Sequence, residues 1–312
     1  MSRVRLGTRG SSLALAQSGQ IVRMLEERVP GLSIELVEIR TSGDRIQAVP
    51  LGPELGQSFF TKEIEQALLD DRIDLAVHSC KDLATTLPEG LVISAVPERE
   101  DPRDALLSRS GTLNELAPGA RVGTSSPRRK GFLAAARPDL DIRDQRGNVP
   151  TRVAALDAEE FDAVVLAAAG LKRLGLQHRI SEIFDPGVVL PAAGQGALAL
   201  QTRSDDVGMR SLLLDLDHSS SHTEVLAERA CLRQMQAGCQ APVGASASVT
   251  GDSLTLRAAV LASHGIVGAE ATTVTTAAEV AGRQVAEEIM KELGVDSLRG
   301  FGWTGQSHGG RV

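Results

Sequence analysis

Apolar and polar positions change period along the first hundred residues, from runs typical of strands to spacings typical of helices. Short apolar runs near 4–6, 33–39 and 74–77 have the length of buried strands. Between them, the segments at about 12–28 and 60–71 place apolar residues at helical spacing. Such βαβ alternation predicts a mostly parallel sheet covered by helices on both faces.

A second unit with the same alternation follows the charged stretch 97–102, which is bounded by prolines. Its predicted strands lie near 104–108, 120–123, 140–142 and 162–166, and its predicted helices at about 127–136 and 150–158. Residues 186–196 are expected to return to the first unit, which a strand at 197–200 rejoins.

The last hundred residues change pattern again. Ser221-His222-Thr223-Glu224 predicts a capping box that opens a helix running to about residue 236. Two strands, at about 243–250 and 253–262, and a helix at 276–293 follow. The expected fold class is α/β, with two periplasmic-binding-protein-like α/β domains around a cleft and a small α+β C-terminal domain. The expected domain boundaries are 1–97 with 197–215, 102–192, and 219–312.

The segment 122–130 predicts an anion-binding turn between a strand and a helix. Ser126 suits the N-cap, and Pro127 suits the first helical position. Arg128 and Arg129 then fall in the first turn, at the positive end of the helix dipole, where a cation is unfavourable by roughly a few tenths of a kcal/mol. Free N–H groups, hydroxyls and guanidinium groups converge there on a site for an anion. The alternative is a pair of solvated surface arginines.

Two other segments repeat this arrangement. At the amino terminus, Gly7-Thr8-Arg9 leads from a strand to Ser11 and a helix, and farther on Arg146 precedes a turn with Arg152 in the next helix. Because arginine pairs with a carboxylate through two parallel hydrogen bonds, these clusters favour a ligand with several carboxylates. The arginines expected to line the cleft are Arg9, Arg128, Arg129, Arg146 and Arg152.

Charge narrows the range of partners. The 312-residue chain has a formal net charge of -7 and 2% aromatic residues, which argues against nucleic acid as a partner. Arginine greatly outnumbers lysine; a GC-rich genome produces such a bias but does not explain the clustering. The sequence shows no apolar run long enough to span a membrane and no signal peptide, so a cytoplasmic protein is expected.

The three cysteines are odd in number and lack C-x-x-C spacing, so neither a disulfide framework nor a metal site is indicated. Cys231 lies among apolar residues of the predicted capped helix and is expected in the core. Cys239 lies in a loop flanked by glycine and proline, where both a functional thiol and an inert one are reasonable interpretations.

The segment His78-Ser79-Cys80-Lys81-Asp82 follows the strand predicted to end at Val77, so it is expected at the carboxyl end of a strand, where ligands collect in such sheets. Ser79 and Lys81 could bind an anion, and Asp82 could hold or accept a proton. Alternatively, Asp82 is simply favourable near a helix start. For His78, a structural role is favoured over a catalytic one.

Taken in order, these segments resemble the porphobilinogen deaminase (hydroxymethylbilane synthase) family from about residue 4 to residue 290. The motifs that carry the resemblance are Gly7-Thr8-Arg9 with Ser11, His78-Ser79-Cys80-Lys81-Asp82, Glu100-Asp101-Pro102-Arg103-Asp104, Gly123-Thr124-Ser125-Ser126 with Arg128-Arg129, Arg146-Gly147-Asn148, Ala169-Gly170-Leu171-Lys172-Arg173, Leu190-Pro191-Ala192-Ala193-Gly194-Gln195-Gly196 and Gly238-Cys239-Gln240.

The resemblance implies a transferase of tetrapyrrole (porphyrin) biosynthesis. The family joins four porphobilinogen molecules head to tail, with loss of ammonia, into hydroxymethylbilane. A dipyrromethane cofactor, linked to a cysteine by a thioether, primes the chain. Matched position by position, Cys239 is expected to carry the cofactor and Asp82 to be the catalytic carboxylate. The resemblance also implies a monomer.

Every pyrrole carries an acetate and a propionate, so the growing oligomer is a polyanion that accounts for many arginines in an acidic chain. The residues implied to bind the cofactor are Cys239, Lys81, Ser79, Thr124, Ser126, Arg128, Arg129 and Arg146. Those implied to bind the substrate are Arg9, Ser11, Arg146, Arg152 and Arg173.

Two segments depart from the family pattern. Many relatives carry lysines in the loop that corresponds to 53–60, and an arginine is common where Ser42 stands here. This loop is expected to be a lid with a weakened hold on carboxylates. Two other hypotheses remain: a non-catalytic cytoplasmic binding protein for a carboxylate ligand, and a degenerate paralogue that assembles the cofactor but elongates it poorly.

Overall fold

The computed structural model describes residues 3–42, 61–237, 241–262 and 264–294. Its strands are β1 (Arg3–Thr8), β2 (Ser33–Glu38), β3 (Leu75–Ser79), β4 (Leu91–Ala95), β5 (Asp104–Ser108), β6 (Arg121–Gly123), β7 (Asp141–Arg143), β8 (Ala163–Ala167), β9 (Glu182–Ile183), β10 (Leu198–Arg203), β11 (Val243–Thr250), β12 (Ser253–Ala262) and β13 (Gly265–Val274). Its α-helices are α1 (Ser12–Arg28), α2 (Lys62–Leu69), α3 (Pro127–Ala136), α4 (Val149–Asp157), α5 (Ala168–Arg173), α6 (Val207–Leu213), α7 (Ser219–Gln234) and α8 (Ala278–Leu293). The predictions about Cys239 and the loop 53–60 lie outside the described residues.

The first five-stranded sheet has the order β2-β1-β3-β10-β4, and we call it with its helices the first lobe. β1 pairs in parallel with β2 and β3, but β10 is antiparallel to both β3 and β4. The expectation of a mostly parallel sheet is therefore correct for only half of the pairs. The chain re-enters this sheet at Leu198, opposite Ser79, which is the last residue of β3. β10 therefore runs antiparallel to β3.

The second five-stranded sheet has the order β7-β6-β8-β5-β9 and forms, with its helices, the second lobe. It repeats the mixture, because β6 is parallel to β7 and β8 while β5 is antiparallel to β8 and β9. The carboxyl ends of β6 and β8 share one edge, and α3 and α5 begin directly beyond them. The expectation of two α/β units is confirmed.

Local chemistry explains where the helices begin. Ser126 caps α3 through a hydrogen bond from the backbone N–H of Arg129, with Pro127 in the first helical position as the sequence predicts. Ser11 caps α1 in the same way, accepting from the backbone N–H of Ala14. Ile21 and Leu25 of α1 are then fully buried against the first sheet.

The C-terminal unit is an antiparallel sheet β11-β12-β13 against which α7 and α8 pack. The sequence predicts β11 and β12 but misses β13. The predicted start of α7 is also wrong: the helix begins at Ser219, and His218 accepts from the backbone N–H of Ser221 as its cap. The Ser221 hydroxyl accepts instead from the backbone N–H of Arg99. None of the helices within the described ranges is long and apolar enough to cross a membrane.

Candidate functional site

The strand β3 continues two residues beyond its predicted end, so His78 and Ser79 belong to the strand rather than to the loop after it. A single 3-10 turn, Cys80–Asp82, follows directly. It places Lys81 and Asp82, both half-buried, at the carboxyl end of the strand, as the sequence predicts. The hydroxyl of Ser79 accepts a hydrogen bond from Nε2 of Gln17 on α1 at 2.8 Å.

Arg128 and Arg129 are only 4% and 6% exposed, so the alternative of solvated surface arginines is wrong. Both pair with Asp104, which is fully buried: Nη1 of Arg128 lies 2.7 Å from its Oδ2, and Nη2 of Arg129 lies 2.7 Å from its Oδ1. Burial alone would raise the pKa of Asp104, but the two guanidinium charges outweigh it and hold that pKa well below its usual range. The carboxylate thus offsets the unfavourable position of two cations at the start of α3.

Gln195 lies between the two lobes. Its Oε1 accepts from Nζ of Lys81 at 3.3 Å, while its Nε2 donates to Oδ1 of Asp104 at 2.9 Å and to the carbonyl oxygen of Pro102 at 2.7 Å. Burial lowers the pKa of Lys81 to about 8, the charge of Asp82 opposes this, and the charge of Arg129 adds to it. The end of β3 and the start of α3 therefore lie within electrostatic reach of each other.

Arg152 and Arg146 extend this positive cluster along the second lobe. Nε of Arg152 donates to the carbonyl oxygen of Gly147 at 2.9 Å, and Arg146 is exposed beside it. Burial, and then the charges of Arg129 and Arg146, lower the pKa of Arg152 to about 10. A guanidinium group whose pKa is lowered by its neighbours' charges would gain from a bound anion.

Arg173 shows the same deficit of negative charge. Its Nη2 donates to the carbonyl oxygen of Gly196 at 2.7 Å, while its buried Nε has no hydrogen-bond partner among the described residues. Burial lowers its pKa to about 10, although the charge of Glu100 opposes this. Glu100 itself is paired with the neighbouring Lys172 at 2.7 Å.

The remaining candidates lie at the starts of helices or beside His78. Burial and the charge of Arg9 lower the pKa of His78 to about 4, so Arg9 lies near the end of β3. Ser11 is half-buried at its cap position. Thr124 is fully buried, and its Oγ1 accepts from the backbone N–H of Ser126 at 3.3 Å.

Family models match most of the chain. A family model described as porphobilinogen deaminase, dipyromethane cofactor binding domain, matches residues 4–211, and one for the C-terminal domain of porphobilinogen deaminase matches residues 222–291. This chain belongs to the porphobilinogen deaminase family. The porphobilinogen deaminase of Thermus thermophilus is 48% identical over 95% of this chain and 98% of its own length. That of Syntrophobacter fumaroxidans is 48% identical over 84% and 85%.

Among solved structures, the periplasmic aliphatic sulphonate binding protein SsuA from Escherichia coli aligns with a TM-score of 0.40 and 17% identity over 76% of this chain and 71% of its own. This likeness is too distant to carry an assignment.

In this porphobilinogen deaminase family member, three residues that hold the site together are absent from the set predicted from the sequence. They are Gln17, Gln195 and Asp104, whose contacts are given above. Asp104 and Gln195 lie inside motifs that carry the family resemblance, so the sequence points to both residues. It does not indicate their partners, which come from distant segments. Cys80 and Cys231 are both buried, and burial raises the pKa of Cys231 to about 12, as expected for an inert core thiol.

Proposed function

We propose that this protein is a hydroxymethylbilane synthase. It joins four porphobilinogen molecules head to tail with loss of ammonia, starting from a dipyrromethane bound covalently to Cys239. The observation that supports this most is a pair of half-buried cations without carboxylate partners. Arg152 and Arg173 donate to backbone carbonyls and form no ion pair among the described residues.

The residues present suit a dipyrromethane. Such a group brings acetate and propionate side chains. The Nε of Arg173, which has no hydrogen-bond partner among the described residues, and the lowered pKa of Lys81 and Arg152 mark positions that gain from carboxylates. Cys80 and Cys231 are buried in the core. This supports Cys239, the cysteine that the family resemblance implies, as the thiol for the thioether.

The proposed binding roles follow the two expected sets. Lys81, Ser79, Thr124, Ser126, Arg128, Arg129 and Arg146 hold the cofactor, and Arg9, Ser11, Arg146, Arg152 and Arg173 hold the incoming substrate. Within the first set, Arg128 and Arg129 already share the carboxylate of Asp104. Together with Asp104 they therefore contribute a net charge of about +1 to the site, rather than one full positive charge each.

Asp82 is the proposed catalytic carboxylate. When bound, the dipyrromethane supplies the pyrrole carbon to which the first unit is joined. As the aminomethyl group of porphobilinogen leaves as ammonia, positive charge spreads onto the pyrrole nitrogen. A carboxylate beside that N–H stabilises the charge and assists proton transfer. The half-buried position of Asp82 in the turn after β3, beside Lys81, supports this role.

We further propose a cytoplasmic monomer without a nucleic-acid partner, divided into domains 1–97 with 197–215, 102–192 and 219–312. The net charge of -7 supports the exclusion of nucleic acid. The three sheets each fall within one of these ranges, which supports the division.

Intact-protein mass and a turnover assay test the function. The purified chain should carry the added mass of a dipyrromethane, Cys239→Ser should lose it, and Cys231→Ser should keep it. Incubation with porphobilinogen should yield the linear tetrapyrrole. An unmodified wild-type chain that binds carboxylates without turnover would support the binding-protein hypothesis instead. A modified chain that elongates poorly would indicate the degenerate paralogue.

A further inference from the structure

A chain of buried polar groups connects the start of α2 to the end of β3. Oε2 of Glu65 accepts from the Thr61 hydroxyl at 3.3 Å, and its Oε1 accepts from Nε2 of Gln201 at 3.2 Å. Oε1 of Gln201 lies 3.0 Å from Nε2 of His78. Glu65, Gln201 and His78 are all buried, and none of them belongs to the carboxylate-binding set.

The carboxylate of Glu65 determines how the amide of Gln201 is oriented in this series of hydrogen bonds. An ionised carboxylate accepts hydrogen bonds and donates none, so it must face the NH2 group of Gln201. Both hydrogen bonds of Glu65 come from donors, the Thr61 hydroxyl and the Gln201 amide, as a carboxylate requires. The amide oxygen of Gln201 then faces His78, which places the imidazole proton on Nε2 and leaves Nδ1 unprotonated.

We propose that Glu65 and Gln201 are positioning residues that fix His78 as the Nε2–H tautomer and thereby hold the strand end from which Lys81 and Asp82 extend. The consequence for catalysis rests on the proposed function, whereas the tautomer does not. We call Glu65, Gln201 and His78 the relay.

The surroundings of His78 show what the relay holds in place. His78 pairs with Ala199 across the β3–β10 ladder, one residue before Ser79 pairs with Leu198. Burial lowers the pKa of His78 to about 4; the hydrogen bond with Gln201 opposes this, and the charges of Arg9 and Arg229 add to it. A neutral imidazole therefore avoids a third cation beside these two arginines.

Long-range proton–nitrogen NMR of the imidazole groups in the ¹⁵N-labelled full-length protein, as purified, tests the tautomer directly. The His78 signals, identified by their loss in His78→Gln, should show a protonated Nε2 and a bare Nδ1, unchanged between pH 5.5 and 8.5. A protonated Nδ1 in the wild-type protein would overturn the proposal, and this result needs no turnover.

Glu65→Gln tests the direction without changing volume. With an amide at 65, the amide of Gln201 can take either orientation, so both His78 tautomers should appear. Because small displacements of catalytic groups cost up to about 100-fold in rate, kcat should fall about 10-fold with KM within about twofold. Asp70→Asn, at the exposed end of α2, is the matched control and should change neither quantity.

His78→Gln and His78→Asn supply the second comparison. A glutamine can place its NH2 group where Nε2 lies, whereas asparagine reaches only the Nδ1 position, so His78→Gln should keep more turnover than His78→Asn. Equal loss in both, or an unchanged tautomer and unchanged kcat in Glu65→Gln, would contradict the relay. If the wild-type protein shows no turnover, the proposed function fails, and the tautomer measurement still decides the relay.

Discussion

Arg229 donates through Nη2 to the carbonyl oxygen of Ala84 at 2.6 Å, so a helix of the C-terminal unit holds the chain just beyond the turn that carries Asp82. Its Nη1 donates to the carbonyl oxygen of Leu83 at 3.2 Å. The preceding residue, Glu228, accepts from Nη1 of Arg99 at 2.8 Å. Two adjacent side chains of α7 thus attach the C-terminal unit to the first lobe and to the segment 97–102 that connects the two lobes.

Replacing Arg229 by glutamine should therefore destabilise the protein. The change leaves two buried carbonyl oxygens without their charged donor, and we expect a loss of about 2–4 kcal/mol in the free energy of unfolding, measured by urea denaturation. Arg233→Gln is the control, because its pair with Glu279 is exposed and should be worth less than about 1 kcal/mol. Equal effects of the two variants would show that the contact with Ala84 does not matter.

Asp82→Asn should remove most turnover and leave the fold unchanged. Asparagine keeps the size of the side chain but loses the charge and the proton-accepting oxygen, so we expect kcat to fall by about 10²- to 10⁴-fold. The melting temperature should shift little, because Asp82 is half-buried and lies at the end of a turn. Near-normal turnover in this variant would refute the catalytic role.

The amine of Lys81 should titrate near pH 8 in the cofactor-free Cys239→Ser chain, because burial lowers its pKa to about 8. Below about pH 8 the buried charged amine disfavours folding. Between this pH and the unfolded value of about 10.4, the folded chain binds up to one proton fewer than the unfolded chain, so the penalty diminishes as pH rises. NMR of the lysine side chain, assigned with Lys81→Arg, measures the midpoint. Added porphobilinogen should move the midpoint upward; a midpoint near 10.4 without ligand would contradict the burial argument.

Asp104→Asn should be the most damaging of these changes to stability. It leaves Arg128 and Arg129 buried without their carboxylate, which typically costs about 3–5 kcal/mol. Because the folded pKa of Asp104 is held low, its contribution is present above about pH 4 and is lost only as pH falls toward the folded value. The difference from wild type should therefore be constant from pH 5 to 8.

Urea denaturation over that pH range measures this difference. Asp144→Asn serves as the control, since the pair of Asp144 with Lys130 is largely exposed and should contribute less than about 1 kcal/mol. A loss for Asp104→Asn no greater than that of the control would mean that the two arginines find other anions.

Periodicity predicted most of the fold because helices α1 and α3 carry local signals: an apolar face, a serine cap and, in α3, a proline in the first turn. It missed β13, because the inward-facing positions carry small residues such as Ala269 and Ala271 while Ile266 and Val274 are exposed, so the apolar alternation is weak. The start of α7 was misplaced because a histidine replaced the usual capping residue. Strand direction in β10 depends on the route of a distant segment, which no local pattern contains.

The positions of the site residues were predictable because parallel strands end at a common edge, and Arg128, Arg146 and Lys81 all follow such ends. Their partners were not. Asp104 and Gln195 approach the site from other segments, so the structure was needed to show that an internal carboxylate already pairs with two of the expected arginines.

The single amide of Gln195 has a mechanical consequence. One side of it holds a lysine of the first lobe and the other an aspartate of the second, so widening the gap at this point must break at least one of its hydrogen bonds. Because both partners are charged, each such bond is worth about 1.5–3 kcal/mol net. At this contact the cleft resists opening by a few kcal/mol at most, and a lengthening oligomer can displace the amide without unfolding either lobe.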